Sequence, residues 1–265
     1  MSGLPSVVSV RESGTGTPLV LLHAFPLNAS MWSTQLDALP GLSGDEVRVL
    51  APDQRGFGGT ELGPDEPSLD LVADDLALLL DAAGIERAVV GGLSMGGYVA
   101  LAFARRHPHR LAGLLLANTR ATADADAARA NRERIAAAVT ARNSVRLLLD
   151  EDVAAGQLGP DSGHLLERVR EMVAAAPPAS VAWAQRAMAA RPDSLDVLAG
   201  LRVPVSVVTG AQDALVPAEE ADAMLRARPD AELTVVPGVG HLTALEAPGA
   251  FDAAVRRLLA RVAAG

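Results

Sequence analysis

Residues 89–98, VVGGLSMGGY, set a single hydroxyl, Ser94, among four glycines directly after an apolar run. Such a stretch can cradle a phosphate, display a nucleophile, or make a tight packing turn without chemistry. A nucleoside-triphosphate loop is excluded because Gly97 stands where G-x-x-x-x-G-K-[ST] needs lysine, and the chain contains no lysine at all. A dinucleotide fingerprint fails as well. Leu93 and Ser94 interrupt its glycine spacing, and LAGLLLAN, about twenty residues on, supplies no carboxylate for a ribose. What fits is Gly-x-Ser-x-Gly, met by Gly92-Leu93-Ser94-Met95-Gly96. Glycines two before and two after the serine let a strand and a following helix approach while the serine takes a strained backbone.

A serine hydroxyl is a weak nucleophile at neutral pH, so it needs a base and a group that orients the base. His107 and His109 lie in RRHPHR at a helix end, and His164 falls within a long helical stretch. His241 instead follows strand-like ELTVVPGVG, which puts it on a loop at the same sheet edge as Ser94. The orienting carboxylate is expected at another strand end, and Asp213 in VTGAQDALVP meets that requirement. Asp124 is a weaker alternative, and Asp53 is expected to pair locally with Arg55. The developing oxyanion needs two donors. The N–H groups of Met95 and of Phe25, in HAFP, are the candidates, with His23 bracing the Phe25 loop.

These residues need a scaffold that brings strand ends together. Continuous apolar runs at 18–24, 47–53, 87–94, 111–118, 203–213 and 232–241 suit strands covered on both faces, the pattern of a parallel sheet in an α/β fold. SVVSVRES, residues 6–13, adds a strand that GTGTP would fold back as an antiparallel edge hairpin, for about seven in all. Between residues 119 and 198 the period becomes helical: Leu165, Val169 and Met172 share a face, and PPASVAWAQRAMAARP is a helix bounded by prolines. This predicts a core of residues 1–118 and 199–265 with a helical cap, 119–198, inserted between two strands.

Composition narrows the chemistry further. With 23 basic and 32 acidic residues the net charge is −9, which disfavours nucleic acid and anionic membrane surfaces as partners. The absence of cysteine and lysine removes thiolate and Schiff-base chemistry. No signal-like segment or membrane-length apolar span is evident, so a cytoplasmic location is expected.

Five blocks in order, LLHAFPLNASMW, APDQRGFGGT, GLSMGG, GAQDALVP and GVGHLTALEAP, resemble the oxyanion loop, Asp-x-Arg-Gly loop, nucleophile elbow, acid loop and histidine loop of the α/β-hydrolases. Ala24 departs from the glycine usual in the first block, and the amino-terminal region is too short for the family's first strand. Compact length and SMGGYVALAFARR resemble small esterases and lactonases of the 3-oxoadipate enol-lactonase kind, and cofactor-free haloperoxidases or perhydrolases. The resemblance implies an α/β-hydrolase fold, no metal or cofactor, and hydrolysis of a small ester, thioester or lactone through an acyl-enzyme on Ser94, Asp213 and His241. A slow-turnover ligand receptor, a biosynthetic cyclase or acyltransferase, a perhydrolase and a carbon–carbon bond hydrolase are the alternatives. Trp32, Trp183, Val216 and Leu242 are the candidates for binding substrate.

Overall fold

The computed structural model describes residues 8–41 and 46–265. Seven strands, β1 (Val10–Ser13), β2 (Thr17–Leu22), β3 (Val47–Pro52), β4 (Ala88–Leu93), β5 (Leu111–Ala117), β6 (Val205–Gly210) and β7 (Glu232–Val236), form one sheet in the order β1-β3-β2-β4-β5-β6-β7. All neighbours run parallel except β1. The six apolar runs of the sequence are the six parallel strands. Every residue of β4 is buried, as a strand covered on both faces requires. Edge strand β7 alternates instead and leaves Leu233 and Val235 exposed.

The first strand departs from expectation. It is antiparallel and at the edge, but it pairs with β3, Val10 opposite Pro52, and makes no hairpin with β2. Gly14 and Gly16, both at positive φ, pass the chain across instead, with Gly16 packed against Glu46 beside the start of β3. Ser6, Val7 and the region read as lacking the family's first strand lie outside the described residues.

Helices cover both faces. Helix α1 (Ser33–Ala38) follows β2, α2 (Leu69–Ala82) follows β3, and α3 (Met95–Arg106) follows β4. The Ser68 side chain caps α2 by accepting the Asp70 N–H, and Leu69, Val72, Ala73, Leu76 and Leu80 form its buried stripe. That stripe packs beside α3, which lies on β2, β4 and β5. Asp75 on α2 takes a bidentate, buried contact from Arg55 at 2.8 Å, and Asp65 a second at 2.8 Å. The expected Asp53–Arg55 pair is therefore absent: Asp53 accepts the N–H groups of Ala29 (2.8 Å) and Gly59 (2.9 Å), because Gly58 presses the loop backbone onto its carboxyl.

Between β5 and β6 the chain is helical: α4 (Asp126–Arg142), α5 (Arg146–Asp150), α6 (Val153–Gly156), α7 (Leu166–Ala174), α8 (Pro178–Ala189) and α9 (Leu195–Gly200). Helices α4 and α8 pack lengthwise against each other. After β6 come α10 (Ala218–Ala227), α11 (Thr243–Glu246) and α12 (Pro248–Ala263), the last lying on β5 and β6 with α1 beside it. Among the described residues no helix is long and apolar enough to cross a membrane.

Candidate active site

Ser94 stands between β4 and α3 with φ 56° and ψ −114°, a left-handed conformation that costs about 1–3 kcal/mol for a non-glycine residue. The surroundings enforce it. A Cβ on Gly92 would lie 2.0 Å from the Gly96 carbonyl oxygen, and one on Gly96 would lie 2.1 Å from that of Leu22. Only glycine fits at either place, so strand and helix close tightly and lift the intervening serine. The Ser94 N–H donates to Ala117 O (2.9 Å), and its carbonyl accepts the Thr119 hydroxyl (2.8 Å), which ties the turn to the end of β5.

His241 and Asp213 leave the same carboxyl edge, after β7 and β6. The His241 Nδ1–H donates to Asp213 at 2.9 Å from Oδ2 and 3.0 Å from Oδ1, and both side chains are almost fully buried. This leaves Nε2 as the imidazole nitrogen free for proton transfer, and His241 lines one cavity with Ser94. Burial raises the Asp213 carboxyl, but hydrogen bonding and charge at His241, the Asn118 amide and the Leu215 N–H outweigh it and hold it below the usual carboxylate value. Asp124 has other partners. Its buried carboxylate is paired with Arg132 and, at 2.7 Å, Arg191.

Asn118, absent from the residues singled out in the sequence, braces Asp213. Its Nδ2 donates to Asp213 Oδ2 (2.9 Å) and Gly240 O (3.2 Å), while Oδ1 accepts the Thr243 hydroxyl (2.7 Å). Its place as the last residue of the apolar run LAGLLLAN, a predicted strand end, was the available signal. Glu246, inside the GVGHLTALEAP block, is a second brace: its Oε2 accepts Gly240 N–H (3.1 Å), Gly159 N–H (2.7 Å) and the Ser162 hydroxyl (2.7 Å), and Oε1 accepts Leu242 N–H (3.0 Å). One carboxylate thus grips both flanks of His241 and the segment between α6 and α7. Gln157 adds a second tie: its carbonyl accepts His241 N–H (3.0 Å) and its Nε2 donates to Phe25 O (3.0 Å).

Met95 opens α3, so its N–H belongs to the first-turn donors that a helix leaves unsatisfied. Phe25, on the loop after β2, lines the cavity with Ser94 and His241. His23 braces that loop, as its residue type and place suggested. Its Nδ1–H donates to Ala24 O (3.0 Å) and Nε2 accepts Gln54 N–H (3.0 Å). Burial drives its pKa down to about 4, against smaller opposing effects of the Ala24 hydrogen bond and the Asp53 charge.

The cavity has a volume of about 310 Å³, at the small end for ligand sites. Of the four residues expected to bind substrate, Val216 lines it. Trp32 is wholly buried against Phe251, with ring centroids 5.6 Å apart, because its short helical turn packs onto the sheet and α12. Leu242 is also core. Trp183 turns from the cavity and donates its indole N–H to Asp65 O (2.9 Å), while Gln185 and Met188 of the same helix face inward. The helical wall is completed by Ile135, Leu148 and Val153. Among the described residues no cluster of His, Cys, Asp or Glu is arranged to hold a metal ion.

Comparison with known proteins gives the family and the fold. The model of a family described as the alpha/beta hydrolase family matches residues 19–254. A thermophilic esterase from Thermogutta terrifontis, solved with malate bound, superposes with a TM-score of 0.89 at 40% identity over 96% of this chain and 93% of that one. The enol-lactonase from Burkholderia xenovorans LB400 superposes with a TM-score of 0.84 at 25% identity, covering 96% of this chain and 97% of that one. The pimeloyl-[acyl-carrier protein] methyl ester esterase of Aromatoleum aromaticum is 32% identical over 247 residues, 87% of this chain and 93% of that protein.

Proposed function

Because the chain belongs to the alpha/beta hydrolase family, we propose that it is a serine hydrolase acting on small carboxylic esters, thioesters or lactones through an acyl-enzyme. The observation that carries this reading is the joint placement of Ser94, on its strained turn, and the Asp213-bound His241 on one cavity. Ser94 Oγ attacks the carbonyl carbon while His241 Nε2 takes the hydroxyl proton. Asp213 holds the ring through Nδ1–H and stabilises the imidazolium that forms. The N–H groups of Phe25 and Met95 receive the oxyanion, where one such donor contributes about 3–4 kcal/mol to the transition state. Collapse expels the alcohol or thiol with the proton from Nε2, and water repeats the sequence on the acyl-enzyme.

Residues 119–198 act in this scheme as the cap. They select and desolvate the substrate, and the ties made by Gln157 and Glu246 hold them in register with Phe25 and His241. Esterase and lactonase names among the relatives support the substrate class. The test is Ser94→Ala: hydrolysis of short esters should fall on the order of 10⁶-fold, as for removal of a serine nucleophile in a well-studied protease. Fluorophosphonate labelling should disappear with it, while the circular dichroism spectrum stays that of the wild type. A mutant that keeps its activity and is labelled elsewhere rejects the scheme.

A further inference from the structure

Among the described residues, the cavity beside Ser94 is lined by two permanently charged side chains, both cationic, Arg120 and Arg132, and by no Asp or Glu. This stands out in a chain whose net charge is −9. Arg120 follows Asn118 by two residues, at the end of β5. Its Nη2 donates to Leu215 O (2.8 Å), and its Nη1 lies 3.5 Å from Glu220, whose other oxygen takes the Thr122 hydroxyl at 2.7 Å. The Arg120 Nε–H is buried with no hydrogen-bond partner among the described residues. Arg132, on α4, reaches Asp124 through Nε and Gln185 Oε1 through Nη1 (3.1 Å). Arg191 holds the same Asp124 carboxylate, so two guanidinium groups share one negative charge on that wall.

Two guanidinium groups at the wall of a small and partly apolar cavity, with no carboxylate among the described lining residues, suit recognition of an anion through charge-assisted hydrogen bonds. We infer that the site prefers esters or lactones bearing a carboxylate away from the scissile carbonyl, with Arg120 as its main contact and Arg132 adding to the positive field. A single positive charge in excess on the Asp124 wall matches a monoanion better than a phosphate dianion. The inference rests on the esterase reading of the site for turnover, but binding tests it separately.

Monomethyl glutarate and its neutral counterpart dimethyl glutarate are the probes. Ligand-observed NMR titration of Ser94→Ala should give about tenfold or greater preference for the monoester at neutral pH. That preference should collapse in Ser94→Ala/Arg120→Met and survive in part in Ser94→Ala/Arg120→Lys, which keeps the charge but not the fork. Equal binding of the two esters, or a preference that persists undiminished in the methionine variant, overturns the inference. Turnover by the wild type is scored separately: failure to hydrolyse either ester counts against the esterase reading, and the binding ratio still decides anion selection.

Discussion

The carboxyl edge of the sheet and the helical run between β5 and β6 meet at one cavity, but they are built by different rules. At the edge, each functional residue is held by backbone. Ser94 and Asn118 sit at positive φ, His241 N–H is bonded to Gln157 O, and Asp213 accepts N–H groups of its own loop at Leu215 (2.9 Å) and Val216 (3.1 Å). In the helical run, position depends on side-chain packing. The cavity-facing Ile135, Leu148 and Met188 come from three helices whose axes are set by mutual contact. Under the proposed mechanism, chemistry resides at the strand ends and selection in the helices. Replacements at the edge should therefore change rate, and those in the helical wall should change preference.

The sharpest way to break this division is to exchange the two acids. Asp213→Asn should lower kcat on the order of 10⁴-fold, the loss found for the equivalent change in the serine protease template, because the imidazolium loses its partner and the ring its tautomer. Asp124→Asn should leave kcat within about tenfold while lowering thermal stability, since Arg132 and Arg191 would keep their charges without a buried counterion. Steady-state kinetics beside thermal unfolding decide it. The opposite ranking would move the acid to the loop after β5.

The edge should also respond to acid through His23. With the folded pKa of His23 near 4 and the unfolded value near 6.5, both states are neutral above pH 6.5. As pH falls, the unfolded chain is protonated first. This group therefore withdraws stability from about pH 6.5 down to 4, by up to roughly 1.4 kcal/mol per pH unit, and no further below that. NMR titration of the His23 ring together with urea unfolding at each pH measures both quantities. A ring that titrates near 6.5 in the folded protein removes the effect.

The smallest effect concerns the helical wall. Ile135→Ala enlarges the cavity and should shift the kcat/KM ratio between butyrate and acetate esters toward the longer acyl chain by about tenfold, with kcat on the better substrate little altered. Trp183→Ala should not produce that shift, because its indole is turned to Asp65; it should reduce stability instead. A chain-length series on both variants checks the contrast, and equal shifts would erase it.

The same division governs what could be read without the fold. Ser94, Asp213, His241, Phe25 and Met95 were accessible because each belongs to a local pattern in which an apolar run ends in a particular residue, and a parallel sheet gathers all such ends at one edge. Asn118 carried the same signal, but its role depends on a partner 95 residues away. Trp32, Trp183 and Leu242 were chosen for size and neighbourhood, and neither property states which way a side chain points.

The sequence by itself determined the strand segments, the mostly parallel character of the sheet and the residues at the strands' carboxyl ends, since glycine spacing and apolar periodicity act over a few residues. Tertiary structure alone decided that β1 crosses to β3, that Arg55 pairs with Asp75 rather than Asp53, that Asp124 is held by two arginines, and that α8 presents Met188 to the cavity and Trp183 away from it. Those outcomes are set by helix rotation and by charge partners far apart in the chain. Only the assembled packing can choose among the several partners that local chemistry allows.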